Sequence, residues 1–241
     1  MTINVSPISF QRQLNNCLCF LCFLITSCQQ NPEQNVEEKI TQKRISKSGK
    51  CIDSAKSLIK DYDIITRTGI DFTSQGLRKL CFRDPTYSHC GIARYENDTL
   101  FVYHAVGGEI NPGETLRRDP LEIYANGSDN EALGVFRFDL PDNSVRSRID
   151  SLIRLYYNKK IKFDLQFDLS TDDKMYCAEF VAKVFSRALN MPEMFTTHTI
   201  HGKEYIAPDD IYLQGECREV KRFSYYCAKI SPCGNRGRNQ N

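Results

Sequence analysis

Two short segments almost ninety residues apart constrain this chain most: Tyr87-Ser88-His89-Cys90-Gly91-Ile92 and Tyr176-Cys177-Ala178-Glu179-Phe180. The first reads as a strand carrying an imidazole. The second opens a helical pattern, with Phe180, Val181, Val184, Phe185, Ala188 and Leu189 on one face and Met191-Pro192 as its stop. A fold that unites them must bring a strand to the mouth of a helix. That union has chemical meaning. A thiol is a good nucleophile as the thiolate, which a helix N-terminus and a nearby imidazole both favour.

The strand at His89 to Tyr95 is followed by a polar turn, Glu96-Asn97-Asp98-Thr99, and a second strand from Leu100 to Val106. Alternation places His89, Gly91 and Ala93 on one side, and Val102, His104 and Val106 on one side of the returning strand. If Tyr95 pairs with Leu100, His104 is the diagonal neighbour of His89 on the same face, at roughly 7–8 Å. A loop of only residues 96–97 places the two imidazoles opposite each other. A three-residue loop puts them on opposite faces.

These residues fit a nucleophile, a base and an orienter. Cys177 is the candidate nucleophile, and the unpaired N–H groups of its helix can hold an oxyanion. His89 is the candidate base and acid, and His104 the group that holds its tautomer. A carboxylate is the more usual orienter, so Glu109 and Glu179 are candidates to share the role. Taken singly, each residue has a plainer reading. A strand histidine is usually a core or rim residue, a lone cysteine is usually inert, Glu179 suits any helix start, and Tyr87, Tyr103 and Tyr176 suit a core. Cys177, His89 and His104 also match a zinc set of one sulfur and two nitrogens, although no CxxC pair spaced for zinc is present.

The first 27 residues read as a secretion signal. Arg12 supplies the positive region and Cys17–Thr26 an apolar stretch of signal-peptide length. That stretch is shorter than the roughly 20 apolar residues of a membrane-spanning helix. Leu24-Ile25-Thr26-Ser27-Cys28 resembles a bacterial lipobox, with Cys28 as the lipidated residue, and Gln29-Gln30 follows. The plainer alternative is an uncleaved apolar N-terminus. Of eleven cysteines, four fall in or at the end of this segment. With Cys177 set aside, six remain: Cys51, Cys81, Cys90, Cys217, Cys227 and Cys233. Their fifteen pairings are indistinguishable by sequence, and the last three are the best place for a bridge in an oxidising compartment. Cys90 faces away from His89 and reads as a small buried residue.

The expected organisation is a signal over 1–27, a flexible tether over 28–48, one domain over 49–231 and a disordered tail over 232–241. The tether is rich in Gln, Asn, Glu, Lys and Ser. A short helix is predicted near Ile52–Lys60, a strand at Asp63–Arg67, a helical turn at Ser74–Leu80, a strand at Leu133–Phe138 and an amphipathic helix over 144–157. Pro208–Leu213 reads as a turn or helix start, and the Thr-rich stretch with His198 and His201 as a plain surface loop, with a lid as the alternative. The formal charge of +2 gives no argument for nucleic acid.

The order of these motifs resembles the permuted papain-like amidases, the YiiX-like branch of the NlpC superfamily, which is related to lecithin:retinol acyltransferase. The resemblance runs over about residues 60–215. It rests on Ser88-His89-Cys90-Gly91-Ile92, on Val102-Tyr103-His104-Ala105, on Phe163-Asp164 and on Tyr176-Cys177-Ala178-Glu179-Phe180-Val181. In this family the His precedes the Cys. The chain departs from it in carrying His104 where Glu is common, Ala178 where Ser follows the Cys, and Tyr62-Asp63 where Gly-Asp is usual.

The resemblance implies an α+β, permuted papain-like (NlpC-type) fold, in which a small antiparallel sheet or barrel packs on helices with the Cys at a helix N-terminus. It also implies a thiol-dependent hydrolase with catalytic Cys177, His89 and His104 and no cofactor. Combined with the lipobox, the expected setting is the envelope of a Gram-negative bacterium. There the protein is expected to be held to the membrane by its N-terminal lipid and to cleave an amide of a peptide or acyl-amide substrate, such as a peptidoglycan stem peptide. Two alternatives stand beside it: lipid acyl transfer or lipid ester hydrolysis with the same thiol, and a ligand-binding module without catalysis. The oligomeric state is not legible.

Overall fold

In a computed structural model, which describes residues 32–107, 115–200 and 202–226, one antiparallel sheet and one buried helix carry the architecture. The chain runs α1 (Pro32–Lys56), β1 (Ile64–Gly69), α2 (Phe72–Arg78), β2 (His89–Glu96), β3 (Thr99–His104), β4 (Arg117–Pro120) and α3 (Leu121–Tyr124). It continues through β5 (Asn130–Phe138), α4 (Asn143–Asn158), α5 (Cys177–Leu189), β6 (His198–Ile200), β7 (Lys203–Tyr205), α6 (Pro208–Tyr212) and β8 (Cys217–Ser224). Six strands form an open sheet in the order β4-β3-β2-β1-β5-β8, and β6 and β7 form a separate hairpin. Among the described residues the sheet does not close into a barrel.

Two apolar layers sandwich this sheet. On one face Ile64, Cys90, Ile92, Tyr103 and Phe136 pack with α4 and α5. On the other, Ile65, Ala93, Val102, Leu133 and Val135 pack under Ile52, Ala55 and Ile59 and under α3. Helix α5 is apolar on nearly every side, because it lies between the sheet and α4. Asn190, in the left-handed conformation with φ of 56°, ends it.

The β2–β3 register decides the site. Tyr95 pairs with Leu100 and Glu96 with Thr99, so the turn is only Asn97-Asp98, both at positive φ (46° and 64°). That is the twist a two-residue hairpin requires. The register is the one that makes His104 diagonal to His89.

Several elements differ from expectation. From Pro32 the segment expected as a flexible tether is already helical, in one run with the predicted short helix. Glu37, Glu38, Lys39, Gln42, Lys43 and Lys47 are good helix formers without an apolar stripe, which hides the helix from periodicity. From Thr41 on, the chain forms one compact unit. Arg44 bonds the carbonyls of Gly127 and Ser128 at 2.7 and 3.1 Å. The sequence pattern does not predict β4, β6, β7 or β8. His198 is not in a plain loop: it opens β6, stacks on Phe82 at 4.2 Å and bonds Asp210 at 3.0 Å. Cys51, Cys81, Cys90, Cys177 and Cys217 are free thiols. Cys28, Cys227, Cys233, Glu109 and His201 lie outside the described residues.

Candidate active site

One end of the sheet gathers the candidate residues. Ser88 begins the arrangement: buried, its Oγ accepts from the Gly69 N–H at 3.0 Å and ties the start of β2 to the end of β1. His89 follows, 6 % exposed, and its Nε2 lies 2.9 Å from Nδ1 of His104, which is 2 % exposed. Gly91 lies opposite His104 in the ladder. A Cβ there would meet Tyr103 O at 2.7 Å and His104 Cβ at 2.9 Å, so only glycine leaves room for that imidazole.

Asp119 completes the chain of bonds. It pairs with Val102 across β3–β4, which places it on the face of His104 and diagonal to it. Its Oδ2 lies 3.1 Å from His104 Nε2, and its Oδ1 accepts from Arg117 Nη2 at 2.9 Å. Nothing in the sequence points to Asp119, because Arg117-Arg118-Asp119-Pro120 is too charged and short to read as a strand. Glu179, a candidate orienter by sequence, serves otherwise. Its Oε2 accepts from the Tyr176 N–H at 3.2 Å, and Oε1 pairs with Lys183 at 2.8 Å. A glutamate three residues into a helix points back to its own N-cap, which explains the role it takes. Tyr176 is that N-cap residue. Its hydroxyl accepts from the Ile206 N–H at 2.8 Å, and its ring packs on Phe167 at 4.8 Å.

Cys177 sits at the first position of α5, buried against β2. Hydrogen bonding from Cys90 and the adjacent His89 hold its thiol well below the usual range, against burial. Burial pushes the Cys90 thiol the other way, so the shared proton stays on Cys90. Burial also lowers the proton affinity of His89, which the Cys177 thiolate partly restores. His104 is pushed down to about 3 by burial, despite its bond to Asp119, and is neutral at pH 7.

Those charges fix the tautomers. The Asp119 carboxylate can only accept, so His104 carries its proton on Nε2. Its Nδ1 is then an acceptor, and His89 must donate from Nε2. The lone pair of His89 is left on Nδ1, the nitrogen free to serve Cys177. The arrangement can therefore take a proton from the thiol and return it to a leaving amine. Tyr124 supports it from α3, with ring centroids 5.8 Å from His89 and 4.9 Å from His104. A cavity of about 420 Å³ opens on Cys177 and His89, bounded by Leu77, Phe163, Phe167 and Ile206 among others.

An antiparallel sheet with a base on an early strand and a thiol at the head of a later, buried helix defines a permuted papain-like cysteine hydrolase. Residues 73–216 match the family described as "permuted papain-like amidase enzyme, YaeF/YiiX, C92 family", and the chain belongs to that family of cysteine peptidase-like amidases. Among solved structures it is similar to the metalloprotein YiiX of Escherichia coli O157:H7, at 19 % identity and a TM-score of 0.57, over 69 % of this chain and 99 % of that one. That likeness shows the fold. No curated protein matches. The neighbour is described as a metalloprotein, but the donors among the described residues are not arranged to hold an ion. Among the described residues no group of three or more His, Cys, Asp or Glu converges to hold one. His104 spends both nitrogens on His89 and Asp119, and His89 spends one on His104.

Proposed function

We propose that the protein hydrolyses an amide bond of the cell envelope, in a peptidoglycan stem peptide, with Cys177 as nucleophile, His89 as acid and base, and His104 as orienter. The continuous line from Cys177 through His89 and His104 to Asp119 carries this reading. His89 takes the Cys177 proton on Nδ1 as Sγ attacks the carbonyl carbon, and the α5 N-terminus stabilises the oxyanion. The C–N bond breaks as His89 protonates the amine, which leaves a thioester. Water, deprotonated by His89, then releases the acid and restores the thiol. The lipobox-like Leu24-Ile25-Thr26-Ser27-Cys28 supports anchoring through lipid on Cys28.

Replacing Cys177 with Ala is the test. Turnover of muropeptides or small acyl amides should fall by about three orders of magnitude or more, with only oxyanion and binding contributions left. Labelling by a thiol-directed probe should vanish with it. Full turnover in the variant, with no labelling of the wild type, ends the proposal. The apolar side of the cavity favours lipid acyl transfer as a second reading. The mass of a trapped Cys177 adduct separates the two, since a fatty acyl increment belongs only to the second.

A further inference from the structure

Arg67 has no part in the chemistry above, yet it stands directly across the ladder from His89 and lines the same cavity. It is held firmly. Its Nη1 donates to Asn130 Oδ1 at 2.8 Å, and Asn130 is fully buried. Its guanidinium carbon lies 5.2 Å from the centroid of the Tyr124 ring. Its Nε is buried without a hydrogen-bond partner. Asp71 is close enough to feel its charge, but both Asp71 oxygens are occupied by Ser74. The other arginine of the cavity, Arg117, is bonded to Asp119.

A fixed cation beside the base carries a cost. It lowers the proton affinity of both His89 and His104, and so opposes the imidazolium that the reaction needs. A bound anion removes that opposition. The position of the anion follows from the chemistry. His89 hands its proton to the leaving nitrogen, so the amine half of the substrate lies beside His89 and its cross-strand neighbour. The acyl half is left to the apolar wall of Leu77, Phe163 and Phe167.

We infer that Arg67 is a specificity-determining residue that binds the free α-carboxylate of an amino-acid leaving group, so that the preferred substrate is an acylated amino acid or a peptide cut at its C-terminal residue. This rests on the hydrolase reading and names its substrate class. Arginine suits a carboxylate through paired N–H donors.

The experiment compares N-benzoyl-alanyl-alanine with its C-terminal carboxamide. Wild type should favour the carboxylate by about 10–100-fold in kcat/KM, the range of a hydrogen bond to a charged group. In Arg67→Met the ratio should collapse to within about twofold, and Arg67→Lys, which keeps charge and fold but not the paired donors, should fall between. A wild-type ratio near one, or an unchanged ratio in either variant, overturns the inference. Carboxamide turnover that depends on Cys177 upholds the hydrolase reading by itself. If wild type cleaves neither compound, calorimetry on Cys177→Ala decides. Tighter binding of the carboxylate than of the carboxamide, abolished by Arg67→Met, supports the Arg67 site, and equal binding sinks it.

Discussion

At the scale of single residues, each position of Ser88-His89-Cys90-Gly91 has its own physical role. They supply, in order, a staple to β1, a base, a hydrogen bond to the thiolate, and space for a second imidazole. Alternation alone makes Cys90 a small buried residue. It is buried, but its contact with Cys177 lies beyond alternation, which says nothing of what an opposite layer brings. Replacing Cys90 with Ala removes the largest influence holding the Cys177 thiol down, so the thiol should become less acidic. A hydrogen bond to an ionised group contributes about 1.5 kcal/mol, so the midpoint of the iodoacetamide alkylation–pH profile should move up by about one pH unit. An unchanged alkylation profile rules out that role for Cys90. Asp119 acts further off, by fixing two tautomers in series. With Ala in its place, His104 can protonate either nitrogen and His89 loses its enforced lone pair. A fall in kcat of about 100-fold with KM nearly constant is expected, the size of a misdirected general base. A matching rise in KM instead would show that Asp119 only shapes the cavity.

At the scale of elements, alternation and turn chemistry make the β2–β3 hairpin legible, while its register stays open among three loop lengths until Tyr95 is seen to pair with Leu100. The α5 start is legible because a wide apolar face follows Cys177 at once. β4 is not, since Arg117–Pro120 carries three charges and has no apolar alternation, so the sequence directs attention to Glu109 and Glu179 for the carboxylate of the site. Gly91→Ala tests the hairpin. The added methyl must displace Tyr103 or His104, so a stability loss of about 2 kcal/mol in urea is expected, with slower Cys177 alkylation. A variant of full stability and reactivity contradicts the close approach. Glu179 tests α5. Burial raises its carboxyl from 4.5 to about 7, and the Lys183 ion pair pulls back without cancelling it. The folded state thus holds this proton longer than the unfolded chain does. Stability from this group is therefore lost as pH rises from about 4.5 to about 7. Glu179→Gln abolishes that slope. The stability of the variant relative to wild type should rise by about 3 kcal/mol across the window. A flat difference means that Glu179 titrates normally.

At the scale of the whole molecule, the site depends on strands far apart in sequence being held at one end of a single sheet. The last strand, β8, reaches this sheet only at its edge, beside β5. Its anchor is Arg222, which has no signature in the sequence because an arginine in a charged strand looks like a solvated one. The guanidinium carbon lies 5.2–5.5 Å from the rings of Tyr87, Phe136 and Tyr212, and it pairs with Asp84 at 2.6 Å and Glu219 at 2.8 Å. Tyr87 directly precedes the Ser88-His89 motif, Phe136 lies on β5 and Tyr212 on α6, so one cation joins four parts of the chain. A half-exposed ion pair alone contributes little, but a guanidinium over stacked rings adds about 0.5–2 kcal/mol. Arg222→Ala should therefore lower unfolding free energy by about 2 kcal/mol in urea. Arg222→Lys should recover only part of it, since an ammonium cannot lie flat over the rings and bond two carboxylates at once. Alkylation of Cys177 in the folded variants should keep its wild-type rate, because Arg222 touches none of the proton-transfer residues. If Arg222→Ala leaves the urea midpoint in place, β8 is held by its backbone ladder and the three rings pack equally well without the cation.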